Sequence, residues 1–312
     1  MVDYLSTASR TEWAEVPLPV RAEVARLLGD DICAAVDQRG GFSHGVAVRL
    51  RTSGGGAAFV KAIEVGDGLA SVYRQEARIA SRLPATAPAP KCRFTSEIAG
   101  WFVAAFEDVE GMFPRLDEPG ELQDCLDLAT RLATELTPSP LVDVPTVAEA
   151  YGTELIGWRT FVTEGPPVDL DQWSVRHLTE LAELEATWLT AAAGNTLLHT
   201  DLRPDNMLRR ADGTVLAVDW AWACRGAAWI DLVALAPSIA AAGVDPDPIV
   251  AAHPVTRDID SAAIDAFVCA LAGYWAAACR RPGPPRSPYL RDHQSAFARL
   301  SRDWLACRTG WQ

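Results

Sequence analysis

The chain has almost no lysine: of its 28 basic residues only Lys61 and Lys91 are lysines, and the rest are arginines. Positive charge is itself scarce, because 41 Asp plus Glu leave a net charge of -13. That balance repels polyphosphate backbones, argues against nucleic acid as a partner and favours cationic small molecules. Seven cysteines are scattered without a Cys-x-x-Cys pair, so neither a disulfide frame nor a zinc site is indicated, and a reducing cytoplasm is the expected compartment. A long hydrophobic run is also missing. The longest, Ala266 to Cys279, is too short to span a bilayer, and Met1 to Tyr4 lacks the basic and apolar stretches of a leader, so no membrane partner is expected.

What is present is an ordinary packed composition, 49% hydrophobic and 22% charged. A length of 312 residues allows one large domain or two lobes that each bury a core. Within the first 37 residues a helical pattern surrounds Leu18 to Leu28. After Arg39-Gly40-Gly41-Phe42-Ser43-His44-Gly45, alternating apolar positions predict strands over 46–51 and 57–63, joined by a Gly54-Gly55-Gly56 hairpin turn. Helical spacing over 68–83 ends at Pro84, and two short strands follow within 92–106 about Ala99-Gly100. The polar connector 107–111 marks a boundary between a 1–106 lobe and a 107–312 lobe. The latter reads as helices over 122–136, 147–161, 175–193, 232–242, 261–279 and 288–307, with short strands at 196–198, 207–210 and 215–218. No internal repeat is visible.

The densest polar signal is His199-Thr200-Asp201-Leu202-Arg203-Pro204-Asp205-Asn206, followed by Val218-Asp219-Trp220 at a strand end. Phosphoryl transfer to a hydroxyl needs a carboxylate beside the attacking oxygen, oxygen ligands for Mg²⁺ and positive charge over the phosphates. Asp201 can accept the hydroxyl proton, and a hairpin would bring Asn206 and Asp219 together as hard oxygen ligands. His199 suits a brace for this catalytic loop, and Arg203 can neutralise the transferring group. Any one such residue would read as a solvated turn; apolar strand ends on both sides aim the set at one spot.

This arrangement resembles the protein kinase-like superfamily, most closely the aminoglycoside phosphotransferase family, over nearly the whole chain. The resemblance implies an α+β bilobal fold, with a small β-rich lobe carrying one key helix and a larger helical lobe. It implies Asp201 as catalytic aspartate, Asn206 and Asp219 as metal ligands, and Asp231, after Gly226, as a support for the catalytic loop. Lys61 sits inside an apolar strand pattern where a lone charge is costly, and Glu76 on the next helix is its natural partner for holding the α and β phosphates of ATP or GTP. Gly41, Ser43, His44 and Gly45 would cover the phosphates, and Phe106 and Asp108 would flank the adenine at the connector.

Asp201-Leu202-Arg203-Pro204 also resembles the catalytic loop of serine/threonine protein kinases. However, Trp220 stands where Phe-Gly would follow the metal aspartate, and only 11 residues separate Asp219 from Asp231, too few for an activation segment. A small-molecule hydroxyl acceptor is therefore expected, with Trp220, Trp222 and Trp229 as candidate stacking residues. A nucleotide-binding pseudokinase is the other alternative, which intact Asp201, Asn206, Asp219 and Lys61 oppose. The chain is expected to act as a monomer or homodimer.

Overall fold

Alternating apolar residues build the first third of the chain into one antiparallel sheet. The computed structural model describes residues 8–312, so Met1 to Tyr4 lie outside the described residues. Helix α1 (Leu18–Leu28) is followed by β1 (Ile32–Asp37), β2 (Val46–Thr52), β3 (Ala57–Glu64), α2 (Ala70–Ala80), β4 (Cys92–Ile98) and β5 (Trp101–Glu107). The five strands lie in the order β1-β2-β3-β5-β4. Strand alternation sends Val46, Val48, Leu50, Val60 and Val103 to one face, beneath Trp13 and the α1 residues Val20 and Val24. The opposite face sends Ile63, Phe102, Ala104 and Phe106 against Tyr73 and Ala77 of α2.

Strand β1 was not expected in a first segment read as helical. It is an edge strand paired with β2, and four of its six residues are exposed, so no inward and outward alternation marks it in the sequence.

The remainder is mainly helical: α3 (Pro119–Glu135), α4 (Val147–Tyr151), α5 (Gly157–Glu164), α6 (Gln172–Arg176), α7 (Leu178–Glu185) and α8 (Trp188–Ala191), then α9 (Ile230–Ala241), α10 (Asp247–Ala252), α11 (Ser261–Ala278) and α12 (Leu290–Thr309). Between α8 and α9 lie β6 (Thr196–Leu198), β7 (Met207–Arg209), β8 (Val215–Ala217) and β9 (Cys224–Gly226). Two expected helices are in fact broken. The 147–161 stretch turns between α4 and α5, and 175–193 is interrupted at His177 and Thr187. Helix α11 is longer than its apolar run suggested and passes a length and composition test for a membrane span, yet ten of its eighteen residues are buried within the fold.

The reason for the first break is a close helix crossing. A Cβ on Gly157 would lie 1.9 Å from Gly273 O, so the start of α5 can rest on α11 only without a side chain. Buried Glu185 seals the crossing, its carboxylate accepting from Trp158 N and Arg159 N at 3.0 Å each. Gly157→Ala is therefore expected to lower stability by about 1–3 kcal/mol or more, since overpacking against backbone has no flexible neighbour to absorb it. Urea unfolding of the purified variant measures this, and a shift below half a kcal/mol would contradict it.

Candidate active site

The same alternation that builds β3 places Lys61 on its α2 face with Phe59 and Ile63. Its Nζ donates to both Glu76 oxygens at 2.7 Å and lies 3.5 Å from Asp219 Oδ2. Burial works against the ammonium charge, but Asp219 and Glu76 outweigh it and raise the Lys61 pKa. Burial also pushes the Glu76 carboxyl up to about 7, with Lys61 pulling it the other way.

Across the cleft, β6 leads into the catalytic loop, and Asp231 in the first turn of α9 grips it. The Asp231 carboxylate accepts from His199 N at 2.9 Å and Thr200 N at 2.8 Å, and burial raises its pKa. Thr200 is thereby held at φ 67°, a conformation that a β-branched residue rarely adopts. Its hydroxyl lies 2.8 Å from the Tyr151 hydroxyl, and both reach Trp222 O within 3.1 Å.

His199 is fully buried, edge-on to Trp220 with ring centroids 4.8 Å apart. Its Nε2 is 2.8 Å from Val218 O, which can only accept, so the network assigns the proton to Nε2 and leaves Nδ1 to accept from Asp201 N at 3.3 Å. Burial lowers its pKa and favours the neutral ring. His199 is thus enclosed beneath the loop and bonded to backbone at both ring nitrogens, which suits a brace.

Asp201 is held at both oxygens. Arg203 Nη1 donates to Oδ1, and Asn206 Nδ2 donates to Oδ2 at 2.9 Å and to Asp201 O at 2.8 Å. The rest of the Arg203 fork engages Asp205 with two 3.1 Å bonds. Burial pushes the Asp201 carboxyl up to about 6, against the pull of Arg203. Pairing of Met207 with Ala217 in the β7–β8 hairpin, and of Val218 N with Asn206 O at 2.9 Å, sets Asn206 beside Asp219, whose φ of 66° is also left-handed. Because the Asn206 amide hydrogens are committed to Asp201, its oxygen is left able to accept a cation beside the Asp219 carboxylate. No group of three His, Cys, Asp or Glu side chains placed to hold a metal ion exists among the described residues. Two hard oxygens suit Mg²⁺, which fills its remaining positions with water and phosphate.

The glycine-rich segment folds over this cleft. Gly41 has φ 80°, and a Cβ on Gly45 would come within 2.4 Å of the Tyr73 hydroxyl, so both glycines are required by geometry. Ser43 Oγ lies 3.0 Å from Arg10 Nη1 and 3.2 Å from Tyr73 Oη, while His44 Nε2 lies 2.8 Å from Asp67 Oδ2. The side chains of Ser43 and His44 are thus engaged within the protein, in the packing of the loop. Phe42 at the tip reaches the helical half: its ring lies 5.1 Å from that of His293 and 5.4 Å from the Arg203 guanidinium, and Ser287 Oγ donates to Phe42 O.

Beneath the loop is a cavity of about 840 Å³, lined by Ala47, Phe59, Phe106, Val109, Leu208 and Val218 together with Lys61, Asn206 and Asp219. Phe106 thus borders the cavity. Asp108 borders it too, and its carboxylate is bound to Arg49 at 2.7 Å and Arg51 at 3.5 Å, tying the connector to β2. Two of the three tryptophans expected at an acceptor are core residues. Trp220 is buried with Nε1 donating to Ala217 O at 3.0 Å, and Trp229 is buried against Phe267. Only Trp222 is exposed, at 51%. Arg10 and Tyr151 were not anticipated. Neither carries a local pattern, since each reaches the site from a distant part of the chain.

A family model described as the phosphotransferase enzyme family matches residues 39–299. No curated protein matches the chain in sequence. Among solved structures, choline kinase LicA from Streptococcus pneumoniae superposes with a TM-score of 0.63 at 14% identity, covering 93% of this chain and 98% of that one. An aminoglycoside phosphotransferase of the APH(2") group, solved with GDP and kanamycin, gives 0.62 at 15% identity, over 94% and 99%. A thermostable mutant of aminoglycoside phosphotransferase APH(4)-Ia, solved with ADP and hygromycin B, gives 0.59 at 11% identity, over 93% and 98%. At such identities the likeness carries the fold alone.

Asp231→Asn keeps the shape of the side chain but turns one of its two acceptors into a donor facing a backbone N–H. It is expected to destabilise the chain by about 1–3 kcal/mol through an unsatisfied buried donor. Unchanged unfolding midpoints in urea would show that the loop does not depend on this grip.

Proposed function

The chain belongs to the phosphotransferase enzyme family and has its protein kinase-like fold, and from the chemistry of the cleft we propose that it transfers the γ-phosphoryl group of a purine nucleoside triphosphate to a hydroxyl of a small molecule. The observation that carries this reading is the Asp201 carboxylate, held by Arg203 and by Asn206, which itself lines the cavity in which Lys61, Glu76 and Asp219 meet.

Residues 1–106 form the nucleotide lobe in this reading, and residues 107–312 the lobe of the catalytic loop and acceptor. The cavity lined by Phe59, Phe106, Val109 and Leu208 takes the base, with connector backbone groups at its edge. Lys61, oriented by Glu76, binds the α and β phosphates. Asn206 and Asp219 hold Mg²⁺, which when bound neutralises charge on the phosphates. The acceptor hydroxyl donates its proton to Asp201 as its oxygen forms a bond to the γ-phosphorus, and the bond from that phosphorus to the β-phosphate oxygen breaks to release nucleoside diphosphate. Arg203, already on Asp201, keeps the base ionised and lends positive charge to the group in flight.

Solved neighbours hold ADP, AMP-PNP or GDP, which supports a purine nucleotide. Between Asp219 and Asp231 the chain makes only a 3-10 turn (Trp220–Trp222) and β9. That brevity leaves no platform for an extended peptide and supports a small acceptor, for which exposed Trp222 offers a stacking face. Kanamycin, hygromycin B and the choline of the neighbours' names define a first acceptor panel, extended by amino sugars.

Phosphate transfer from Mg-ATP and Mg-GTP over that panel and a generic peptide, followed by mass spectrometry, tests the reading. Asp201→Asn is expected to lose at least a hundredfold in turnover while retaining nucleotide affinity. Wild-type turnover in that variant, or labelling of the peptide alone, would overturn the assignment. A base works only when deprotonated, so activity should fall as pH drops through about 6, the pKa to which burial raises Asp201. Because Arg203 pulls that pKa down, Arg203→Met should move the acidic limb to higher pH. A pH-rate profile in which the limb moves down or stays in place would remove Arg203 from this role.

A further inference from the structure

The segment preceding α1 brings another cation into the cleft. Arg10, which lies ahead of the family-matched residues 39–299, lines the same cavity as Lys61, Asn206 and Asp219. Its Nε and Nη2 donate to Gly40 O at 3.0 and 2.5 Å, and its Nη1 donates to Ser43 Oγ at 3.0 Å and Gly45 O at 3.1 Å. The fit is close, for a Cβ on Gly41 would lie 2.9 Å from Nη2.

The chemistry of these partners is the informative point. All are neutral oxygens, and among the described residues Arg10 forms no ion pair. Lys61, by contrast, is matched by both Glu76 and Asp219. A guanidinium has five N–H donors. Four bonds here leave an Nη2 hydrogen for a further acceptor. The group is near enough to Glu76 and Asp219 for its charge to act on both carboxylates. A polyanion entering beneath the glycine loop therefore meets in Arg10 a cation that forms no ion pair with a carboxylate among the described residues.

We propose that Arg10 is a phosphate ligand of the nucleotide, supplied from outside the matched family segment and threaded through the glycine loop. The proposal rests on the phosphotransferase reading. When the triphosphate binds, its non-bridging oxygens take up the remaining Arg10 donor and compete for those now spent on Gly40 O or Ser43 Oγ. The exchange is favourable because a guanidinium on a phosphate oxygen gains the attraction of opposite charges, which a neutral acceptor does not supply. The loop glycines and Arg10 then act as one unit, with the backbone setting where the guanidinium points.

Calorimetric titration of the full chain with Mg-AMP-PNP and, separately, with adenosine tests this. Arg10→Gln should weaken the triphosphate about ten- to hundredfold, the usual range for a hydrogen bond to a charged group, and leave adenosine unchanged. Arg10→Lys, which keeps the charge but cannot span the loop oxygens, should recover most of the loss. Equal weakening of both ligands, no weakening of either, or a lysine variant as poor as the glutamine one would make Arg10 a loop brace and overturn the proposal. Thermal melts report whether each variant folds. Should Arg10→Gln fail to fold, the lysine variant decides, a loss in triphosphate affinity of under about threefold supporting the ligand role and one beyond tenfold overturning it. A wild-type chain that binds no triphosphate would instead sink the phosphotransferase reading itself.

Discussion

One buried charge organises this molecule. Lys61 stands in the middle of a sheet, between β2 and β5, where its side chain is about nine-tenths buried. Leaving such a charge unmatched would cost about 3–5 kcal/mol, a large fraction of a domain's stability. The chain meets the requirement from two directions, with Glu76 brought by α2 and Asp219 by the end of the β7–β8 hairpin. Sheet, helix and hairpin are thereby referred to a single atom, and the two halves of the cleft acquire a common origin.

The catalytic loop is fixed by a second, quieter layer. Thr200 and Asp219 both hold left-handed backbone conformations, and each is followed within a residue or two by a group with chemical work to do or by the turn that carries it. Such strain persists only when surrounding contacts over-determine it. Asp231 does so for Thr200 through two backbone N–H groups, and His199 does so for the approach to Asp219 by bonding Val218 O. Acid, imidazole and indole beneath the loop thus serve geometry, which explains why Trp220 and Trp229 are spent on packing.

How much of this could be read from the sequence follows from how local each feature is. Asp201, Asn206 and Asp219 were legible because a loop and a hairpin of fixed length bring them together. Lys61 and Glu76 were legible because a charge in an apolar strand demands a partner on the next element. Strand β1 was not, since an edge strand with exposed side chains carries no alternation. The break before α5 depends on Gly273, more than a hundred residues away. The roles of Ser43 and His44 turned on Tyr73, Arg10 and Asp67, partners that glycine spacing does not reveal. Arg10 itself has no neighbours in sequence that hint at its destination.

The seat of Phe42 bears on timing. Its ring rests on His293, which itself packs among Trp275 and Phe297, so the loop that roofs the cavity is docked onto the far half of the molecule. Parting the halves must withdraw this partly buried aromatic ring from that seat, a step opposed by the apolar contact it gives up. If chemistry on Asp201 is fast, the departure of one phenyl ring becomes the clock by which spent nucleotide leaves.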